Sequence, residues 1–205
     1  SAIYLGGGGS GSQDKFITDI IGGAAHRYTH DITVTNCEFI GNNTENSKLV
    51  EAVHQAAAAG VVIENCIAKD LGYLAEGYFQ DQGSRVALTI KGCTVTNVKA
   101  LLNNQGGAST TVVENCTVSA YHDYIIRSNG STIIVKNSSI TSTYSGTETG
   151  GIIVARGSNS TVTVENSSFT KASVNMYDVY NHNASLTTIN SNIQLSAGQG
   201  HNFTD

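Results

Sequence analysis

Three sets of residues in this chain have types and spacings that could do chemistry. The first is four cysteines, Cys37, Cys66, Cys93 and Cys116. A thiolate can bind a soft metal or exchange disulfides. The spacings of 29, 27 and 23 residues, however, contain no CxxC pair and no zinc-finger interval. The second set is the run HRYTHD, with His26, His30 and Asp31. On a helix its two histidines would stand one turn apart; on a strand they would be about 13 Å apart and useless as a chelate. No HExxH arrangement supports them, and a solvated loop is expected there. The third set is a scatter of amides, carboxylates, arginines and phenols. It comprises Glu51, His54 and Gln55; Gln80 and Asp81; Asn103, Asn104 and Gln105; Arg127 and Asn129; Arg156 and Asn159; Tyr177, Asp178, Tyr180 and His182. Carboxylates hold hard cations or carry protons, an arginine pairs with an acidic ligand, amides bond hydroxyls, and phenol rings stack on sugar faces. Whether these groups share a surface depends on the elements that carry them.

An internal repeat supplies those elements. Its seven copies are ITVTNCEFI (Ile32 to Ile40), VVIENCIAK (Val61 to Lys69), LTIKGCTVT (Leu88 to Thr96), TVVENCTVS (Thr111 to Ser119), IIVKNSSIT (Ile133 to Thr141), VTVENSSFT (Val162 to Thr170) and LTTINSNIQ (Leu186 to Gln194). Each is a β-branched alternating strand, an Asn, a Cys or Ser, and a second short strand. The Asn positions are 36, 65, 115, 137, 166 and 190, with Gly92 in the third copy. Successive spacings of 29, 27, 23, 22, 29 and 24 residues mean loops of variable length hung on a fixed coil.

Alternation assigns the faces. Pairs such as Ile32 and Val34, Ile133 and Val135, or Val162 and Val164 point inward before the Asn, as do Phe39, Ala68, Val95, Val118, Ile140, Phe169 and Ile193 after it. Thr111 and Thr188 break the apolar rule. Inward residues on both sides of the Asn require a corner, where stacked amides can hydrogen-bond along a column. The cysteines then form a column of small buried, unpaired thiols, continued by Ser138, Ser167 and Ser191. A third segment precedes each later copy: LVEAV (Leu49 to Val53), GYFQ (Gly77 to Gln80), ALLNN (Ala100 to Asn104), DYIIR (Asp123 to Arg127), GIIVAR (Gly151 to Arg156) and VNMYDVY (Val174 to Tyr180), with AIYL (Ala2 to Leu5) as an earlier equivalent. Lys15 to Ile21 and Leu49 to Ala59 could instead be short inserted helices, and Gly6 to Gly11 reads as a loop.

Three short strands per coil make an all-β chain, a single right-handed parallel β-helix of about seven to eight coils. One domain covers residues 1–205: an N-terminal coil and Gly-rich loop (1–31), seven repeated coils (32–194) and a C-terminal end (195–205). The pattern V-x-V/I-x-N-C/S-x-F/V/I resembles the coils of the pectate-lyase-like superfamily and the β-helical repeats of microbial surface adhesins, over roughly Ile32 to Gln194. That resemblance implies a fold shared by lyases, hydrolases and non-catalytic adhesins. In the enzymes of the group, acidic residues on the third strand and its loops hold Ca²⁺ against uronate carboxylates and an Arg or Lys acts as base. Asp81, Arg127 and Arg156 would fill those roles if this chain were such an enzyme; no family signature maps onto them residue by residue. Otherwise no cofactor and no metal is expected.

Composition narrows the partners. Only 13% of residues are charged, the net charge is −5, and there is no Lys/Arg cluster, which argues against nucleic acid and anionic membranes. No apolar run is long enough for membrane insertion as a helix. Proline is absent, as expected of a chain bound almost throughout into a backbone ladder. Tyr73, Tyr121 and Tyr144 fall six to eight residues past a corner, in loops where their rings could meet sugars. Of the N-x-S/T sequons, Asn115, Asn137 and Asn166 lie in the corner column and are expected to be buried. Outward Thr33, Thr35, Thr89 and Thr163 form no unbroken two-column array of the kind that would bind ice. The expectation is an extracellular or cell-surface solenoid module of a microbial surface or secreted protein, adhesin-like or structural. Its polysaccharide or cell-surface glycan partner would be met by Gln80, Asp81, Asn104, Arg127, Arg156, Tyr177, Asp178 and His182. The alternatives are a polysaccharide lyase or hydrolase, and end-to-end self-association through open strand edges.

Overall fold

The computed structural model describes residues 15–18, 32–42, 47–52, 60–81, 83–156, 160–181, 185–193 and 203–204. Within them the chain winds as an all-β, right-handed solenoid with three parallel sheets. Sheet A stacks Lys15–Thr18, Lys48–Ala52, Tyr73–Gly77, Ala100–Asn104, Tyr124–Asn129, Gly150–Arg156 and Met176–Asn181. Sheet B stacks Ile32–Thr35, Val61–Glu64, Leu88–Lys91, Thr110–Glu114, Thr132–Lys136, Thr161–Glu165, Ser185–Ile189 and Phe203–Thr204. Sheet C stacks Glu38–Ile40, Ile67–Lys69, Thr94–Val98, Thr117–Ala120, Ser139–Ser142 and Ser168–Lys171. About five turns, from Val61 to Asn181, have all three strands and both of their bends described. The seven or eight coils expected from the repeats are therefore too many. Each repeat copy marks one corner, and a corner near either end does not complete a turn; after Ile189 the seventh copy has no second strand among the described residues.

The repeat builds this shape through its corner. Asn36, Asn65, Asn115, Asn137, Asn166 and Asn190 all have φ between 47° and 54°, and Gly92 has φ 62°. This left-handed conformation costs most side chains 1–2 kcal/mol by rough estimate, while Asn tolerates it and Gly has no Cβ to clash. The shared property of the corner residues is that backbone conformation. It turns the amides outward, so the expectation that Asn115, Asn137 and Asn166 are buried is wrong: all three are exposed. Amide stacking is seen where Asn190 Nδ2 donates to Asn166 Oδ1 at 3.0 Å.

Inward alternation holds in the complete turns. Val61, Leu88, Thr111, Ile133, Val162 and Leu186 form one buried column of sheet B, and Ile63, Ile90, Val113, Val135 and Val164 another. The thiols line the inside of the corner and are free, three of them buried and Cys37 half-buried. Cys66 Sγ donates to Glu64 O at 3.2 Å, while Ser138 Oγ donates to Lys136 O at 2.7 Å and accepts from Cys116 N at 3.1 Å. Burial pushes the Cys66 thiol pKa up, so it stays protonated. Outside sheet B, Glu64, Lys91, Glu114, Lys136 and Glu165 alternate in sign down one column.

Several local expectations are corrected. Lys15–Thr18 and Lys48–Ala52 are strands, so no helix occupies those residues. In the second turn the sheet A strand is Tyr73–Gly77, not Gly77 to Gln80. Tyr73 is consequently a strand residue, 6% exposed, and Tyr144 packs against the core rather than standing free in a loop. The HRYTHD run, Gly6 to Gly11, AIYL and the stretch 53–59 lie outside the described residues.

Candidate functional site

The outer face of sheet A gathers the densest set of polar and aromatic side chains. Its register aligns Glu51, Glu76, Asn103, Arg127, Val154 and Tyr180 in one column. A second column runs through Lys48, Tyr73 and Ala100, and continues through Tyr124, Gly151 and Tyr177. Parallel pairing brings like positions together about every 4.8 Å, whatever the loop lengths between them. Lys48 Nζ sits 2.6 Å from both Glu51 Oε1 and Glu76 Oε2, and Asn103 Nδ2 donates to Glu76 Oε1 at 2.8 Å. Burial works to lower the Lys48 pKa, but hydrogen bonds and charge from the two carboxylates outweigh it and leave it raised.

The aromatic part adjoins this ladder. The Tyr73 and Tyr124 hydroxyls meet at 3.3 Å across the small side chain of Ala100. Lys99 Nζ lies 5.6 Å from the Tyr73 ring centre, and the Arg127 guanidinium 5.4 Å from that of Tyr124. His122 meets Tyr124 edge-on at 4.4 Å, and its Nδ1 contacts the Asp123 carboxylate. Burial and the Tyr73 hydroxyl push the Tyr124 pKa well up, so the phenol remains a donor at any physiological pH. Tyr177 stacks on Tyr180 with centroids 6.1 Å apart. A side chain at Gly151 would stand 2.6 Å from Tyr180 Cβ, so the glycine makes room for that ring.

The model of one family, described as the right-handed beta helix region, matches residues 1–118. That is more than half of the chain. The chain belongs to this right-handed β-helix family. No curated protein and no solved structure matches it.

Within this β-helix the residues singled out from the sequence do not form one constellation. Asp81 Oδ1 accepts from Ala87 N and Thr110 N at 2.9 and 2.7 Å, and its Oδ2 from Thr110 Oγ1 at 2.6 Å. Its backbone leads a column through Ala108 and Gly130 to Arg156, which puts Asp81 and Arg156 three turns apart, about 14 Å. Asn104 is buried and tied to Phe79, Gly106 and Ser109. Asp178 is buried 2.8 Å from Lys171 Nζ. Gln80 is half-buried beyond the strand end and Arg156 is exposed; His54, Gln55, Asn159 and His182 lie outside the described residues. Arg127 and Tyr177 do reach the outer face of sheet A.

Ca²⁺, which the resemblance to lyases would bring, does not fit these residues. The oxygens of Asp81 are engaged by the chain itself, and no three His, Cys, Asp or Glu among the described residues are grouped to hold a metal. Glu76 was missed because the second-turn strand was placed four residues late, and Lys48 because its strand was started one residue late at Leu49; Tyr124 lay inside a correctly placed segment, but only the polar residues at its end were singled out. The similarity of KLVEA, YLAEG and ALLNN, each apolar in the middle and polar at the fourth position, is the signal that finds Glu76 and Lys48.

Proposed function

We propose that this β-helix is an extracellular module of a microbial surface or secreted protein that holds glycans against the outer face of sheet A without cleaving them. The observation that carries the reading is a polar ladder, Glu51, Glu76, Asn103 and Arg127, that leads along one rigid sheet to the half-buried Tyr177–Tyr180 stack. Ring faces and edges suit the apolar faces of sugars, and amides and carboxylates suit their hydroxyls. A non-cleaving role is favoured because Asp81 and Arg156 stand three turns apart and the Asp81 carboxylate is engaged by the backbone.

The test is incubation of the purified chain with a panel of neutral and acidic polysaccharides, with and without Ca²⁺, scoring both retention and cleavage. Retention of at least one glycan without cleavage is expected, weakened by Arg127→Ala and by Tyr177→Ala. Cleavage of any member would replace this reading with a lyase or hydrolase. Failure to retain any would remove the glycan partner.

A further inference from the structure

The outer face of sheet C has a chemistry unlike the other two. From Thr94 to Thr170 the outward positions on its four strands carry hydroxyls, with exposed Asn97 as the one exception. Register aligns Thr94, Thr117, Ser139 and Ser168 in one column. Ser119, Thr141 and Thr170 form the second, opened by Thr96 beside a bulge at Asn97. The first column is exposed along its whole length, and so are both ends of the second. None of these eight hydroxyls makes a hydrogen bond to another described residue, in contrast to Thr161 and Thr132 on sheet B, whose hydroxyls bond each other at 3.0 Å. The outward amides of Asn115, Asn137 and Asn166 border the first column, and a shallow open groove runs between them.

This grid is uncharged and free of aromatic rings, so it offers nothing for ion pairing or sugar stacking. What it offers is oxygen atoms at fixed intervals. Tetrahedral water with neighbours about 2.8 Å apart places its second neighbours about 4.5 Å apart. The turns of a parallel solenoid repeat about every 4.8 Å and cannot rearrange without breaking the ladder. Each hydroxyl can therefore stand where a water oxygen of an ordered layer would stand. Charged heads would instead hold their own hydration shells and disrupt such a layer.

We propose that the outer face of sheet C is an ice-binding surface, its two hydroxyl columns and bordering amides anchoring a water layer that merges with the ice lattice. The outward threonines of sheet B make no such array. The required two columns lie on the neighbouring sheet, after the corner rather than before it. The surface is separate from the outer face of sheet A, so this inference and the glycan reading stand or fall independently.

The experiment is slow partial freezing of the purified chain with an inert tracer protein, together with measurement of freezing hysteresis. The native chain should enrich in the ice and show hysteresis. Thr117→Lys and Thr141→Lys should abolish both, and Thr33→Lys on sheet B should change neither. Melting curves establish that each variant is folded. If a lysine variant fails to fold, Ser139→Thr combined with Ser168→Thr, which adds only outward methyl groups, should increase the hysteresis. A native chain that partitions like the tracer overturns the proposal. So do folded lysine variants that keep full enrichment, or threonine replacements that leave the hysteresis unchanged.

Discussion

Thr111 carries a hydroxyl into a column of aliphatic side chains, between Leu88 and Ile133, where it is fully buried and its oxygen has no hydrogen-bond partner. A buried hydroxyl without a partner costs roughly 1–3 kcal/mol. Thr111→Val keeps the shape and removes the polar atom, so it should stabilise the fold by about 1 kcal/mol. In urea the unfolding midpoint should rise with no change of slope. The corner residues give the opposite sign. Asn137 has φ 48°, so Asn137→Ala should cost about 1–2 kcal/mol, whereas Asn137→Gly should melt close to the native chain. Equal losses in the two variants would mean that the amide, not the backbone, matters most. The Asn column was legible in the sequence, but its cause was not. Gly92 held the clue, since Asn and Gly share little except tolerance of the left-handed region. With that cause recognised, outward amides follow.

At the scale of the strand, sheets B and C were readable because their inward positions are almost all apolar at a fixed distance from the corner, and a slip of one residue would reverse every side chain. Val135 lies fully buried between Val113 and Val164. Val135→Asp should therefore prevent folding by placing an unpaired charge between turns, read as loss of soluble protein and of the thermal transition. Sheet A was less legible. Its outer face is itself partly apolar, with Tyr73, Ala100, Tyr124 and Val154 packed together outside the main core. Alternation there no longer marks inside from outside, which is how Tyr73 came to be read as a loop residue. Gly77 closes that strand with φ 131°, where a Cβ would collide with the Ala52 carbonyl. The Lys48 cluster gives this sheet a pH signature. Its folded pKa is raised, so the stabilisation is complete below the unfolded value of about 10.4 and is lost as pH rises through the higher folded value. The melting temperature should fall above about pH 10.4, and more steeply in the native chain than in Lys48→Met.

For the whole molecule, the solenoid separates three faces by chemistry: an aromatic and ionic sheet A, a charge-striped sheet B and a sheet C that bears hydroxyls from Thr94 onward. The architecture was legible from the repeat, and the separate characters of its faces were not. They depend on which residues of different turns are neighbours, and variable loops hide that from any linear count. A linear count also overstated the number of complete turns. End-to-end association through open strand edges stays a proposal on this architecture; a monomer at every concentration in sedimentation would remove it. The stripe on sheet B bears on how such a rod is wound. Neighbouring turns meet with opposite charges, as in Lys91–Glu64 at 3.8 Å and Lys136–Glu165 at 2.9 Å. A chain that skipped a turn while coiling would instead set Glu64 against Glu114, or Lys91 against Lys136, and like charges directly opposite repel. The alternation thus works as a parity check. Repeats alike enough to be exchanged by accident carry a sign that tells odd turns from even, so the most common error in assembling a repetitive object is flagged by the object itself.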